Sequence, residues 1–237
     1  FPDIKSSTVI NLALSERLTE VPQRFFMSGF NYAEDLLKLV KVIKEGDHPL
    51  FDKETQVDFF AYSIGVFLMQ CLITADPEDV FRNSKFVFFA GGSLFSEMYG
   101  VSRFIMDNKA FERIHHYFLK EMEEEIKGHG DYSEVLRESN MGKAFRAMIR
   151  YDRYKKIRDK VMDYFRPRIL VIALRDDRVV PLKGIQDLFG KHGNIKVMHF
   201  KFPYIHENPF PVHIPDAREL VDKAFNQVFT RSAAFLA

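Results

Sequence analysis

The pattern of apolar and polar positions divides the chain into short, mainly apolar runs and longer segments with helical spacing. The apolar runs have the length of strands buried on both faces, and they cover 57–62, 85–90, 169–174 and 195–200. Helices are predicted at 31–45, 64–74, 182–189 and 216–229, and the first would begin at Asn31 and stop at Gly46. Residues 8–14 add at best an edge strand or a connector. The alternation predicts an α/β fold, a mostly parallel sheet with helices on both faces.

Between residues 95 and 165 the pattern changes to long helical segments that are rich in charged and aromatic side chains. Charge runs such as 121–127 and 151–160 are typical of solvated helix faces. We expect residues 95–165 to form an inserted helical cap over the carboxyl edge of the sheet. Residues 1–94 and 166–237 would then form the core domain.

Ser63 stands at the junction where the apolar strand 57–62 gives way to the apolar helix 64–74. A strained turn at such a junction lifts a serine hydroxyl out of the sheet, and the amino end of the helix favours developing negative charge. Small residues two positions either side, Ala61 and Gly65, leave room for strand and helix to approach. The junction therefore predicts a nucleophile, with a buried serine that only caps a core helix as the alternative.

Two acidic residues and a histidine follow later strands of the predicted sheet. Asp176 and Asp177 come after the strand 169–174, and His206 follows the strand 195–200. Because the carboxyl ends of parallel strands meet at one edge of the sheet, we expect these side chains near Ser63. The position within the motif Arg175-Asp-Asp-Arg-Val-Val-Pro181 favours Asp177 as the acid of the site. We interpret Asp176 as a solvated or capping carboxylate.

These motifs resemble the α/β-hydrolase superfamily of serine-hydrolase type. The resemblance rests on Ala61-Tyr62-Ser63-Ile64-Gly65, on Asp177-Arg-Val-Val-Pro181 and on His206-Glu-Asn-Pro209, in the order Ser, Asp, His. It implies that Ser63 is the nucleophile, that His206 is the general base and then acid, and that Asp177 orients the imidazole. The backbone N–H of Ile64 would be one oxyanion donor. Tyr62 and Ser93 would line the pocket, although a plain turn is the favoured interpretation of Ser93.

The chain departs from this superfamily in two places. Ala61 replaces the usual first glycine of the turn, which demands slightly more room. The stretch before the helix 31–45 is too short for the superfamily's first strands and for the loop that supplies half of the oxyanion hole. We therefore expect the natural polypeptide to have roughly a hundred or more further residues before Phe1. Leu14-Ser-Glu-Arg-Leu18 and Pro22-Gln-Arg-Phe-Phe26 also resemble an uncharacterised bacterial family within the superfamily, which implies no substrate.

Other reactive side chains have simpler interpretations. Cys71 lies inside the apolar helix 64–74 and is typical of a small core residue. His199, His206 and His213 recur at intervals of seven residues. A strand and a proline-rich loop lie among them, so the interval does not place them on one face of a helix as metal ligands. His115, His116 and His129 lack carboxylate or cysteine partners at ligand spacing. We expect no metal site and no cofactor.

Composition limits the partners. The chain has 237 residues, 46% of them hydrophobic, and a net charge of +1, so it can bury a large core and has no global field that attracts nucleic acid. No apolar stretch approaches the ~20 residues of a membrane span. A single cysteine fits a cytoplasmic protein and equally a cysteine-poor secreted enzyme. We expect a small-molecule acyl substrate; the sequence leaves the oligomeric state undetermined.

The leading hypothesis is a cytoplasmic serine hydrolase that cleaves an ester, thioester or amide through an acyl-enzyme intermediate. The first alternative is a non-catalytic relative that binds a ligand or partner protein in the same cleft, because half of the oxyanion hole has no candidate. A further alternative is acyl transfer from the same triad to an acceptor other than water.

Overall fold

The structure, a computed structural model, describes residues 8–76, 79–190 and 193–237. The chain divides into two compact units. The sheet unit comprises Gln56–Gln70, Phe81–Met98 and Asp159–Ala237, and the helical unit comprises the described residues of Phe1–Thr55, Cys71–Val80 and Tyr99–Arg158. The predicted division into a core domain and a cap at 95–165 stays a prediction.

The described residues form helices and strands that we number in chain order. The helices are α1 (Val9–Glu20), α2 (Gln23–Glu45), α3 (Ile64–Ala75), α4 (Asn108–His116), α5 (Met122–Glu125), α6 (Asp131–Glu138), α7 (Asn140–Ile149), α8 (Tyr151–Phe165), α9 (Leu182–Phe189) and α10 (Arg218–Leu236). Short 3₁₀ turns lie at Phe95–Glu97, Arg166–Arg168 and Pro215–Ala217, and a π-helical turn at Tyr117–Glu121 joins α4 to α5. The strands are β1 (Phe59–Tyr62), β2 (Phe86–Phe89), β3 (Ile169–Leu174) and β4 (Ile195–Met198).

The four described strands form one parallel sheet in the order β1-β2-β3-β4. The strand β3 and the helix α9 have the predicted bounds, and the other three strands are shorter than the apolar runs that predicted them. The strand β2 stops early because Ala90 enters the left-handed region at φ 45°. The structure confirms an α/β protein with a parallel sheet, although the sheet is small.

Successive side chains of the central strands point to opposite faces of the sheet, and each face packs on a helix. On one face Val87 and Ile172 form a core with Val221 of α10. On the other face the ring of Phe88 lies 6.2 Å from the ring of Phe189 in α9, measured between centroids. Helices therefore cover both faces, as the alternation of elements predicted.

The strand β1 is an edge strand in the described part of the chain, and aromatic side chains stand beside it. Phe60 is 39% exposed and stacks on Phe229 of α10 at 5.3 Å between centroids. Phe225 lies 4.4 Å from Phe229 and is also exposed. These three rings leave an apolar surface at the β1 edge.

Two predictions fail in the helical unit. Residues 8–14 are neither an edge strand nor a connector, because Thr8 caps α1 and accepts a hydrogen bond from the N–H of Asn11. The helix α2 does not begin at Asn31 but eight residues earlier, at Gln23. The extra turns bury Phe26, whose ring lies 4.7 Å from that of Phe145, so tertiary packing overrides the local cap signal. Gly46 ends α2 as predicted, at φ 83°.

The helical segments predicted between 95 and 165 are present as α4 to α8. That they cover the carboxyl edge of the sheet stays a prediction. None of the described helices combines the length and the apolar character that crossing a bilayer requires.

Candidate active site

Ser63 occupies a strained turn between β1 and α3. Its φ is 54°, a value that residues with a side chain rarely adopt. Its N–H donates to the carbonyl oxygen of Phe89 in β2 at 3.1 Å, and its own carbonyl oxygen accepts from the N–H of Val66 at 3.0 Å. The neighbouring strand and the first turn of the helix therefore hold the backbone in this conformation.

The close approach that the turn requires lies at Gly91 and not at Gly65. A Cβ atom on Gly91 would be 2.4 Å from a methyl carbon of Val66 and 2.8 Å from the carbonyl oxygen of Ser63. A Cβ atom on Gly65 would meet nothing within 4 Å. The sequence pattern predicted that the glycine without room for a side chain is Gly65, two residues after the serine. In the structure this glycine is Gly91, which follows β2.

The structure brings Ser63, His206 and Asp177 together in one chain of hydrogen bonds. Ser63 Oγ lies 2.5 Å from His206 Nε2, and His206 Nδ1 lies 2.7 Å from Asp177 Oδ2. The side chains of His206 and Asp177 are 2% and 0% exposed, whereas Ser63 is half-buried. Ser63 thus remains partly exposed while its two partners are shielded from water.

The second carboxylate oxygen of Asp177 is also satisfied. Asp177 Oδ1 accepts from the N–H groups of Val179 and Val180 at 2.9 and 3.0 Å. These bonds fix the carboxylate, so that its other oxygen is directed at the imidazole. Asp176 points elsewhere: its side chain is 58% exposed and lies 3.8 Å from Nε2 of His199.

Tyr62 contacts His206 from the side of β1. Its hydroxyl donates to the backbone carbonyl oxygen of His206, and its ring stacks on the imidazole at 5.6 Å and 20°. Burial, followed by the negative charges of Asp177 and Glu207, raises the pKa of Tyr62 to about 12. The sequence placed Tyr62 in a pocket, but gave no sign of a bond to the His206 backbone.

Tyr204 is a residue that sequence reasoning missed. Its hydroxyl accepts from the N–H of Asp176 at 3.2 Å, which ties the loop after β4 to the loop after β3. Burial is the largest cause that raises the pKa of Tyr204 to about 12. Its position two residues before His206 was the available signal, but an acceptor for a backbone N–H has no sequence signature.

The two other predicted site residues have different surroundings. Ile64 is the first residue of α3, directly after Ser63, and the residue is 52% exposed. Ser93 is buried and donates to the carbonyl oxygen of Leu94 at 3.3 Å. A Cβ atom on Gly184 would be 1.9 Å from Ser93 Oγ, so Ser93 packs tightly against α9.

The remaining candidates for chemistry do not gather at this site. Among the residues that the structure describes, no three His, Cys, Asp or Glu side chains are placed to hold a metal ion. Cys71 is 1% exposed in α3, and burial raises the pKa of its thiol. A thiol held protonated in an apolar environment is unreactive.

The fold defines an α/β protein with a parallel sheet, and a hydrogen-bonded serine, histidine and aspartate lie at its strand ends. The chain belongs to a family of unknown function, DUF6051, whose model matches residues 1–237. No curated protein matches the chain. A solved serine hydrolase from the polyaromatic hydrocarbon-degrading bacterium Cycloclasticus zankles is similar over 73% of the chain, at 17% identity and a TM-score of 0.32. The match covers 62% of that hydrolase, which is less than two thirds of its length.

Proposed function

We propose that the sheet unit carries the active site of a serine hydrolase that cleaves an ester, thioester or amide through an acyl-enzyme intermediate. The observation that carries the proposal is the pair of hydrogen bonds that joins Ser63 to His206 and His206 to Asp177. Serine, histidine and carboxylate in this order of contacts form the arrangement that activates a serine hydroxyl.

The partners of His206 determine which ring nitrogen carries the proton. The Asp177 carboxylate can only accept, so Nδ1 donates to it and carries the hydrogen. Nε2 is then unprotonated and accepts the hydrogen bond of the Ser63 hydroxyl. This tautomer is the one that a general base requires.

The reaction follows from this tautomer. Nε2 of His206 takes the hydroxyl proton of Ser63 while Oγ forms a bond to the substrate carbonyl carbon, whose oxygen becomes negative. When the carbonyl is restored, the bond to the leaving group breaks and His206 returns the proton to that group. Water then attacks the acyl-serine by the same sequence and releases the acid. The buried Asp177 carboxylate stabilises the imidazolium that forms twice in each cycle.

The amino end of α3 supports the negative oxygen of the intermediate. The bond from the N–H of Val66 to Ser63 is the first of the helix. The N–H groups of Ile64 and Gly65 precede it, and helix geometry leaves such groups without an intrahelical acceptor. We assign the N–H of Ile64 as one oxyanion donor, aided by the positive end of the helix dipole.

The direct test is covalent labelling with an alkyl fluorophosphonate, which reacts with activated serines. We expect one adduct on the full chain, located at Ser63 by peptide mass spectrometry and absent from Ser63→Ala. Ser232→Ala is the matched control, because Ser232 is also in the sheet unit and its buried hydroxyl donates to the Val228 carbonyl oxygen within α10. It should label like the wild type.

Two outcomes would overturn the proposal. Labelling that persists in Ser63→Ala removes Ser63 from the mechanism. A folded wild-type chain that neither labels nor hydrolyses p-nitrophenyl acetate favours the non-catalytic alternative, in which the same residues form a binding cleft.

A further inference from the structure

Tyr62 joins the strand that carries the nucleophile to the loop that carries the base. It is the last residue of β1, directly before Ser63. Its hydroxyl donates to the carbonyl oxygen of His206, and its ring lies almost parallel to the imidazole. In the described part of the chain, Tyr62 is the residue of β1 that makes both a hydrogen bond and a stacking contact with His206.

We propose that Tyr62 is a positioning residue for catalysis: it holds the backbone and the ring of His206 at the distance and the angle that its bond to Ser63 requires. This inference rests on the proposed function, because it assigns a role within the same site. It adds a fourth residue to the arrangement, one that acts through His206 and does not touch the reacting atoms.

The contacts of Tyr62 and Asp177 with His206 are complementary. Asp177 binds Nδ1 and so fixes the direction of the ring, but it does not fix the main chain of the loop after β4. Tyr62 binds the main-chain carbonyl and covers one face of the ring. Because Tyr62 and Ser63 are consecutive, the Tyr62 hydrogen bond opposes movement of the His206 main chain away from the nucleophile.

Packing alone does not account for the hydroxyl of Tyr62. The equivalent position of the neighbouring strand is Phe89, which pairs with Tyr62 in the sheet register and stacks on it at 5.6 Å. Phe89 is buried without a hydroxyl. A phenyl ring therefore suits this layer of the core, and the additional oxygen of Tyr62 serves the contact with His206.

The test is Tyr62→Phe, which keeps the ring and removes the donor. With p-nitrophenyl acetate we expect kcat to fall about fivefold and KM to change less than twofold, since one hydrogen bond that positions the base is worth about 1 kcal/mol, which corresponds to a factor of about five. Tyr62→Leu removes the stacking as well and should lower kcat further. The control is Tyr164→Phe, because Tyr164 lies in α8 of the sheet unit and is 54% exposed.

A second measurement separates this inference from the proposed function. The Nδ1–H proton of His206 gives an NMR resonance that exchanges slowly with water only while the ring is held against Asp177. We expect the resonance to broaden or to exchange faster in Tyr62→Phe, and to be unchanged in Tyr164→Phe. If the wild type has no esterase activity but this change occurs, the proposed function fails, and only the structural part of the inference stands: Tyr62 holds the His206 ring against Asp177.

Several results would overturn the positioning role. Unchanged kcat and an unchanged resonance in Tyr62→Phe would do so, as would a loss of kcat that only follows the loss of folded protein. If Tyr62→Phe does not fold, 3-fluorotyrosine at position 62 keeps the shape and lowers the pKa of the hydroxyl. The alkaline limb of the kcat profile should then move to lower pH, and an unmoved limb contradicts the inference.

Discussion

The chain leaves β1 and β2 through the same kind of turn, yet the two turns differ by two hydroxyl groups. Tyr62-Ser63 ends the first strand and Phe89-Ala90 ends the second, and the first members of these pairs are register partners. Ser63 and Ala90 have φ values of 54° and 45°, and each donates its N–H to the next strand. A tyrosine and a serine in one turn correspond to a phenylalanine and an alanine in the other.

The comparison indicates that backbone strain alone does not identify a site. Both turns have a left-handed residue with a side chain, which costs about 1–2 kcal/mol in each case. At the β1 turn both hydroxyls reach His206. At the β2 turn the same geometry serves packing, because Gly91 fits against Val66 and the Ser63 carbonyl. The polar partners distinguish a candidate active site from a structural turn.

The largest expected effect comes from removing the negative charge of Asp177, which binds Nδ1 of His206. Without it, the Ser63 hydroxyl at the β1 turn should have almost no catalytic activity, like the β2 turn, which has no hydroxyl. Asp177→Asn should lower turnover of p-nitrophenyl acetate by about 10⁴-fold, because the imidazole loses its tautomer and its counter-charge. Folding should persist, since the asparagine oxygen can still accept from Val179 and Val180. Asp176→Asn is the control and should stay within a few-fold of wild type. The reverse pattern would reassign the acid to Asp176.

The next largest effect is expected at Gly91, where the β2 turn packs against Ser63 and Val66 of the β1 turn. Gly91→Ala puts a methyl group 2.4 Å from Val66 and 2.8 Å from the Ser63 oxygen. We expect it to lower the free energy of unfolding in urea by about 1–3 kcal/mol and to slow fluorophosphonate labelling. Gly65→Ala meets no atom within 4 Å and should be neutral or stabilise by up to about 1 kcal/mol. If Gly65→Ala is the more harmful change, the close approach lies at the start of the helix after all.

A smaller effect follows from the phenol that only the β1 turn has. The pKa of Tyr62 is raised from 10.0 to about 12, so the folded state favours the protonated hydroxyl. The resulting stability is fully present below pH 10 and is lost as the pH rises from about 10 to about 12. Tyr62→Phe should show a shallower decline of the free energy of unfolding between pH 9 and 12. Tyr204 contributes a similar decline in both proteins, and equal slopes would contradict the raised pKa of Tyr62.

The smallest effect is expected at the β2 turn. Ala90→Gly relieves a strain of about 1–2 kcal/mol, but it also loses a buried methyl group and frees the unfolded chain, each worth about 0.5–1 kcal/mol. The free energy of unfolding should therefore change by less than about 1 kcal/mol, and labelling of Ser63 should change less than twofold. A tenfold loss of labelling would mean that the β2 turn takes part in the site.

The sequence predicts the limits of an element well where residue types mark them, and poorly where backbone angles or tertiary packing determine them. The strand β3 and the helix α9 could be located to the residue, because complete burial and Pro181 mark their limits. The lengths of β1, β2 and β4 were overestimated: β1 begins two residues after the start of its apolar run, and β4 ends two residues before the end of its run. At β2 the run continues into the turn at Ala90, whose left-handed φ no pattern reveals. The start of α2 was missed because aromatic packing of Phe26 outweighs the local cap signal at Asn31.

The candidate site divides in the same way. Side chains with chemical roles can be selected by type and by position at strand ends, and Ser63, Asp177 and His206 do lie together. Contacts that use backbone atoms cannot be selected in this way. The bond from Tyr62 to the His206 carbonyl and the fit of Gly91 against Ser63 depend on three-dimensional proximity that spacing does not encode.

The single, deeply buried cysteine has a practical consequence for spectroscopy. Cys71 is 1% exposed and its thiol is held protonated, so maleimide dyes and spin labels should leave the native protein unmodified. A cysteine introduced at an exposed position such as Ile205, next to the base, would then be the sole attachment point without a cysteine-free background. The continuous-wave electron spin resonance line shape of a single spin label at this position would report the mobility of the loop that carries His206.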